Sequence, residues 1–217
     1  MNDERSVMVD SFITVKSEAS DETVIQKSRF IGYAAPCSTE EEALSFLRSV
    51  REKHRDARHH CFAYVIGLNA GIMRYSDNGE PGGTAGLPIM DVLKTGNVVN
   101  CCVVVVRYFG GILLGTGGLV RAYTQSCKLA LEAAGLVRME RSSVLRCHVS
   151  YQLWNTVQYM IGKLPVQLGL VDYAENVAFD LIIRAKDSES AVLQLQNLSD
   201  GKIICQYMDE EYRAWDL

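Results

Sequence analysis

The chain has 217 residues and a mass of 24.1 kDa, a length that at roughly 150 residues per domain fits one large domain or two small ones. Hydrophobic residues make up 48% and charged residues 22%, with only 4 Pro, which excludes the disordered, collagen-like and supercharged classes. The net charge of −4 sits in the C-terminal third: residues 1–138 hold 15 Lys and Arg against 15 Asp and Glu, residues 139–217 hold 7 against 11. Any phosphate-neutralising surface is therefore expected on the first part rather than the second. No stretch reaches the roughly 18 apolar residues of a membrane span. The start, MNDERSVMVD, lacks the apolar middle of a secretory leader. A cytoplasmic location with no membrane partner is the expectation.

In chain order, Val9 to Val15 and Thr23 to Tyr33 are rich in β-branched and aromatic residues and predict two strands joined through Lys16 to Asp21. STEEEALSFLRSVREK (38–53) predicts a helix, with Ser38 or Thr39 as N-cap, acids in its first turn and bases in its last. Leu44, Leu47 and Val50 would form its apolar face. CFAYVIG (61–67) and IMRYSD (72–77) predict a hairpin. The glycine-rich GEPGGTAG leads into a helix over LPIMDVLKTG, with Pro88 in its first turn and Gly96 as its stop. VNCCVVVVRYF (99–109) predicts a strand covered on both faces. A second glycine-rich loop, GGILLGTGG, precedes a helix over 119–135 with Leu119, Tyr123, Cys127, Ala130 and Ala134 on its apolar side.

Past Gly135 the pattern restarts as strand (Val144 to Val149), helix (Leu153 to Leu164), two strands (Val166 to Val171, Asn176 to Ile183), helix (Ser188 to Leu198) and strand (Lys202 to Tyr207). That βαββαβ order is the ferredoxin-like unit. The fold class is α+β, with a first domain over 1–138 and a second over 139–217. Seven Cys at irregular spacing, without C-x-x-C, predict buried reduced thiols and neither a disulfide framework nor a zinc site. Cys101 and Cys102, adjacent on a strand, are expected on opposite faces.

Chemistry concentrates in DARHHCFAYVIG (56–67), RYSDNGEPGGTAG (74–86) and RYFGGILLGTGGLVRAY (107–123). Glycine at this density is costly to order, so the loops need either positive φ or a close backbone approach. Each loop precedes a helix whose free amides suit an anion; the alternative is tight packing with no ligand. The phosphate-binding-loop and dinucleotide patterns both fail, and no metal-ligand spacing is present, so no cofactor or metal is expected. His59 and His60 cannot both face one pocket; with Asp77 and Glu80, His60 is a candidate for acid/base work, or one His is structural. Arg58, Arg74, Arg107 and Arg121 are the candidate phosphate ligands, with Tyr75, Tyr108, Phe109 and Tyr123 as stacking groups; the alternative is a solvated helix end over core aromatics.

At these three stretches the sequence resembles the IMPACT/YigZ family, with RHHCFAYVIG, RYSDNGEPGGTAG and VVVRYFGGILLGTGGLVRAY matching its blocks in order. The resemblance implies a first domain like the second domain of a small-subunit ribosomal protein, and a second like the last domain of elongation factor G. It singles out His59, His60, Asp77, Gly79, Glu80, Gly83, Thr84, Gly86, Arg107, Tyr108, Gly110, Gly111, Gly115, Gly117, Gly118 and Arg121. Departures fall at Asn78, often Asp; Leu87, often basic; and Leu113, often Lys. Eukaryotic relatives with an additional domain regulate translation through a kinase pathway that this chain, without that domain, is not expected to serve. Three readings follow: an RNA- or ribosome-associated regulator of translation whose second domain contacts protein; an enzyme acting on a phosphorylated or carboxylated metabolite through His60, Asp77 and Glu80; and a protein-interaction adaptor.

Overall fold

A computed structural model describes residues 9–215; the segment expected to lack a leader lies, over 1–8, outside the described residues. The elements up to residue 134 are β1 (Ser11–Val15), β2 (Ala19–Ile25), β3 (Ser28–Pro36), α1 (Glu40–Lys53), β4 (His59–Ile66), β5 (Ile72–Ser76), α2 (Gly86–Thr95), β6 (Cys101–Tyr108) and α3 (Gly115–Ala134). Five of the strands form one sheet in the order β2-β3-β6-β4-β5, every pairing antiparallel. The valine run of β6 is central and its side chains alternate. Cys101, Val103 and Val105 pack with Ile89, Leu93 and Tyr123 of α2 and α3, while Cys102, Val104 and Val106 pack with Phe46, Leu47 and Val50 of α1. Two cores on two faces explain why this strand is apolar without interruption.

Thr39 caps α1, its Oγ1 accepting from the Glu42 N–H (3.2 Å), and Glu42 Oε2 accepts from the Ser38 N–H (2.6 Å). The apolar face runs through Ala43, Phe46, Leu47 and Val50, so Leu47 and Val50 lie on it as expected, while Leu44 is 39% exposed at its edge. The expected strand over Thr23 to Tyr33 is broken in two. Gln26 and Lys27 both take positive φ (45° and 65°) and form a two-residue hairpin between Ile25 and Ser28. Neither residue type announces such a turn. Helix α3 starts at Gly115, four residues before Leu119, so Gly115, Gly117 and Gly118 form its first turn rather than a loop. Burial of Leu119, Ala122 and Tyr123 against the sheet outweighs the poor helix propensity of glycine.

The chain divides after Arg138, with a second compact unit over Met139–Ala214. Its elements are β7 (Leu136–Val149, beginning before the division), α4 (Tyr151–Ile161), β8 (Val166–Tyr173), β9 (Val177–Arg184), α5 (Ser188–Leu198) and β10 (Ile204–Trp215). Strand β9 lies between β7 and β8, antiparallel to both, and β10 pairs with β7, which gives the β10-β7-β9-β8 order of a ferredoxin-like sheet. Leu145, Cys147, Phe179 and Leu181 meet Trp154 and Val157 of α4 and Leu195 of α5 in its core. One expectation is corrected: Cys147 and Cys205, 58 residues apart, form a disulfide between β7 and β10. Facing positions on paired strands brought them together, which sequence spacing does not reveal. The other five Cys are free and buried. Among the described residues no helix is long and apolar enough to cross a membrane.

Candidate functional site

Strand parity decides which side chains meet. Arg107, next after Val105 on its face of β6, pairs in register with Phe30 of β3 and His59 of β4 and points to the α2/α3 side of the sheet. Its Nη1 donates to Glu80 Oε1 (2.7 Å) and its Nη2 to Ser28 Oγ (3.3 Å). The Tyr123 hydroxyl of α3 donates to the same Glu80 oxygen (2.7 Å). This pair is almost fully enclosed, with side chains 6% and 4% exposed. Two valences are left over. Among the described residues, Arg107 Nε has no acceptor and Glu80 Oε2 receives no donor. Burial raises the Tyr123 hydroxyl far above its ordinary range, so it stays a proton donor. Cys61 Sγ lies 3.4 Å from that hydroxyl, and burial pushes its thiol up to about 12, which rules out a thiolate nucleophile at neutral pH.

A cleft of about 420 Å³ opens beside this pair, between the turn at Glu80 and Pro81 and the segment from Phe109 to Thr116. Arg58 and His59 complete its wall. Arg58 is exposed and makes no ion pair among the described residues. The His59 Nδ1 lies 3.0 Å from the Asn78 carbonyl; a carbonyl only accepts, so Nδ1 is the donor in this contact. Phe109 is 55% exposed, with the Arg107 guanidinium 5.5 Å from its ring centre. The first turn of α3, at Gly115 and Thr116, borders the cleft with no side-chain cap and no acidic residue. Its free amides and the positive end of the helix dipole face the same space as Arg58.

The two glycine-rich segments thus share one cleft, but they do not offer equivalent donors. In the first, Asp77 Oδ2 accepts from the Gly83 N–H (2.8 Å), and Oδ1 accepts from Ala85 (2.9 Å) and Gly86 (2.8 Å). The protein's own carboxylate occupies the start of α2, where Asp77 serves as the cap. Gly86 lets this turn close, since a Cβ there would lie 2.7 Å from the Ser76 backbone. Thr84 is buried, its Oγ1 donating to the Pro81 carbonyl (2.7 Å). Gly79 and Gly83 take φ of 86° and 77°, and Asn78, at φ 40°, accepts from the His60 N–H through Oδ1 (2.8 Å). In the second segment, Gly110 is pressed on the hairpin turn, where a Cβ would come within 2.0 Å of Lys27 C and O. Gly111 and Gly115 have positive φ and open space around them.

Several expected members point elsewhere. His60 is on the α1 face, buried, its Nε2 3.0 Å from the His54 carbonyl, and burial lowers its pKa. The trio of His60, Asp77 and Glu80 therefore does not gather. Tyr108 also faces α1: its hydroxyl lies 2.9 Å from His54 Nδ1 and donates to Asp56 (2.9 Å). Arg74 pairs in register with Tyr64 and approaches Glu40 on that same side. Tyr123 is a core residue. Arg121 is exposed on α3 and leans over Gly117, its Nη1 3.9 Å from where a Cβ would sit, outside the cleft wall. Sequence reasoning missed Ser28 and the hydrogen-bonding role of Tyr123. The second had a signal, since a Tyr on a helix face otherwise made of small apolar residues needs a partner for its hydroxyl.

Comparison with known proteins adds three findings. Residues 26–131 match the Impact N-terminal domain family. The chain is 38% identical over 195 residues to the IMPACT family member YvyE of Bacillus subtilis, covering 90% of each chain, and 36% identical over 181 residues to the IMPACT family member YigZ of Escherichia coli, covering 82% of this chain and 89% of that one. A crystal structure of a hypothetical protein, 33% identical, superposes with a TM-score of 0.59 over 94% of this chain and all of the other.

Proposed function

This chain belongs to the IMPACT family, and from that premise we propose that it is an RNA- or ribosome-associated regulator of translation that holds phosphate at the start of α3. One observation carries the reading: the uncapped first turn of α3 opens on a cleft lined by two arginines, Arg58 and Arg107, and a single carboxylate, Glu80. A net positive, amide-lined hollow is what a phosphate needs. The acidic second unit is assigned to a protein partner. Its helices cover one sheet face, while Arg146, paired with Asp172 and Asp180, lies on the other.

Binding of a labelled structured RNA, followed by fluorescence anisotropy from 50 to 300 mM salt, tests this. Affinity should fall steeply with salt, and Arg58→Ala should make the slope of log K against log salt shallower by about 0.7, the loss of one phosphate contact on a single strand. Arg107 is a poor first choice, because its removal strands the buried Glu80 carboxylate. Absent or salt-insensitive binding overturns the reading.

A further inference from the structure

We propose that the cleft is selective for ribonucleotides, with Glu80 Oε2 accepting a hydrogen bond from the ribose 2′-hydroxyl and Phe109 stacking on the base. This rests on the phosphate reading above and narrows it. A bare phosphate leaves two features of the cleft without a purpose. The first is the carboxylate itself. Glu80 Oε1 is engaged by Arg107 and by Tyr123, so the side chain is locked in place, yet Oε2 receives no donor from the described residues, and the residue lines the cleft. An ionised carboxylate is an acceptor only. A ligand filling the cleft must bring a donor to that oxygen or leave it desolvated without a partner.

The second feature is Phe109, a large apolar ring more than half exposed at the cleft wall and backed by the Arg107 guanidinium. A cation behind the ring leaves its outer face free to stack, and bases stack on aromatic rings with little regard to sequence. The phosphate end has its own provision in the α3 amides and Arg58. Arg107, whose buried Nε has no acceptor among the described residues, lines the same wall. An anion, a hydroxyl donor and a flat ring are together the three parts of a nucleotide. Of the backbone groups that distinguish RNA from DNA, only the 2′-hydroxyl supplies a donor, so the acceptor-only oxygen sets the choice between them. At about 420 Å³ the cleft is within the range of roughly 300–1,000 Å³ typical of small-ligand pockets.

The test uses the full chain and varies the ligand, so that protein folding does not confound it. Labelled uridine decamers with ribose, 2′-deoxyribose and 2′-O-methylribose are titrated at one salt concentration. The ribose form should bind about tenfold or more tighter than both others, since the first replacement deletes the donor and the second blocks it. Phe109→Ala, a change at an exposed position, should weaken ribose and deoxyribose decamers alike by about fivefold or more, leaving their ratio intact. Glu80→Gln should shrink the ratio towards one. Equal affinity of the three decamers for the unaltered protein overturns the ribose inference while the phosphate reading stands. Failure of all three to bind overturns both. A Phe109→Ala protein that binds as tightly as the original overturns the stacking contact.

Discussion

At the start of α2 the Asp77 carboxylate accepts hydrogen bonds from Gly83, Ala85 and Gly86, whereas at the start of α3 no side chain caps the helix and Arg121 leans over its first turn. The two segments look alike on paper, each a cluster of glycines running into a helix. One is filled from within the chain and the other is open. Glycine density therefore marks where backbone must approach backbone, as Gly86 does to Ser76 and Gly110 to Lys27, and only the fate of the helix amides says whether a ligand is expected.

The sharpest way to break that comparison is through its shared feature. Gly110→Ala places a methyl group within 2.0 Å of Lys27 C and O, with no flexible side chain to give way. It should cost roughly 3 kcal/mol, read as a lowered urea midpoint of the first unit. Gly86→Ala, whose nearest backbone atoms are at 2.7 and 2.8 Å, should cost less. Gly111→Ala has open space and only its φ of 85° against it, so about 1 kcal/mol is expected. If Gly110→Ala unfolds at the same urea concentration as the unaltered protein, the second segment is not held by close approach, and its openness would be looseness rather than a built surface.

Asp77→Ala comes next in size. It removes the acceptor for three amides and should destabilise by about 2 kcal/mol. At a temperature where the variant is still folded, its RNA affinity should match that of the unaltered protein, because the α2 amides face their own cap and not the cleft. A loss of affinity as large as that of Arg58→Ala would merge the two segments into one binding surface and end the distinction.

Much of this architecture was legible in the residues. The capped helix at Thr39, the doubly covered valine strand and the βαββαβ order each rest on a local pattern that tertiary packing did not override. The hairpin at Gln26 and Lys27 was not legible, because its two residues take positive φ without the usual Gly, Asn or Asp. The disulfide between Cys147 and Cys205 depends on strand pairing, which irregular spacing does not encode. The site divides in the same way. That only one of His59 and His60 can face a cleft follows from strand alternation alone. Which one does is set by the register of β4 against β6, where His59 lies opposite Arg107. The candidate trio failed for that reason, since His60 belongs to the other face and Asp77 to its own helix.

The smallest expected effect tests the open end directly. Thr116 is exposed in the first turn of α3, and Thr116→Glu supplies the acidic residue that this turn lacks, as Glu40, Glu41 and Glu42 do for α1. A carboxylate there interacts favourably with the helix dipole, so the variant should gain about 0.5 kcal/mol in urea unfolding. The same charge stands where the phosphate is proposed to sit, so RNA binding should weaken by about tenfold or more at low salt and recover part of the difference as salt screens the repulsion. A stabilised protein with impaired binding is the behaviour of a helix start left bare for a ligand. A stabilised protein that binds as before would mean that the bare turn is only an unimproved helix end, equivalent to α2 without its cap.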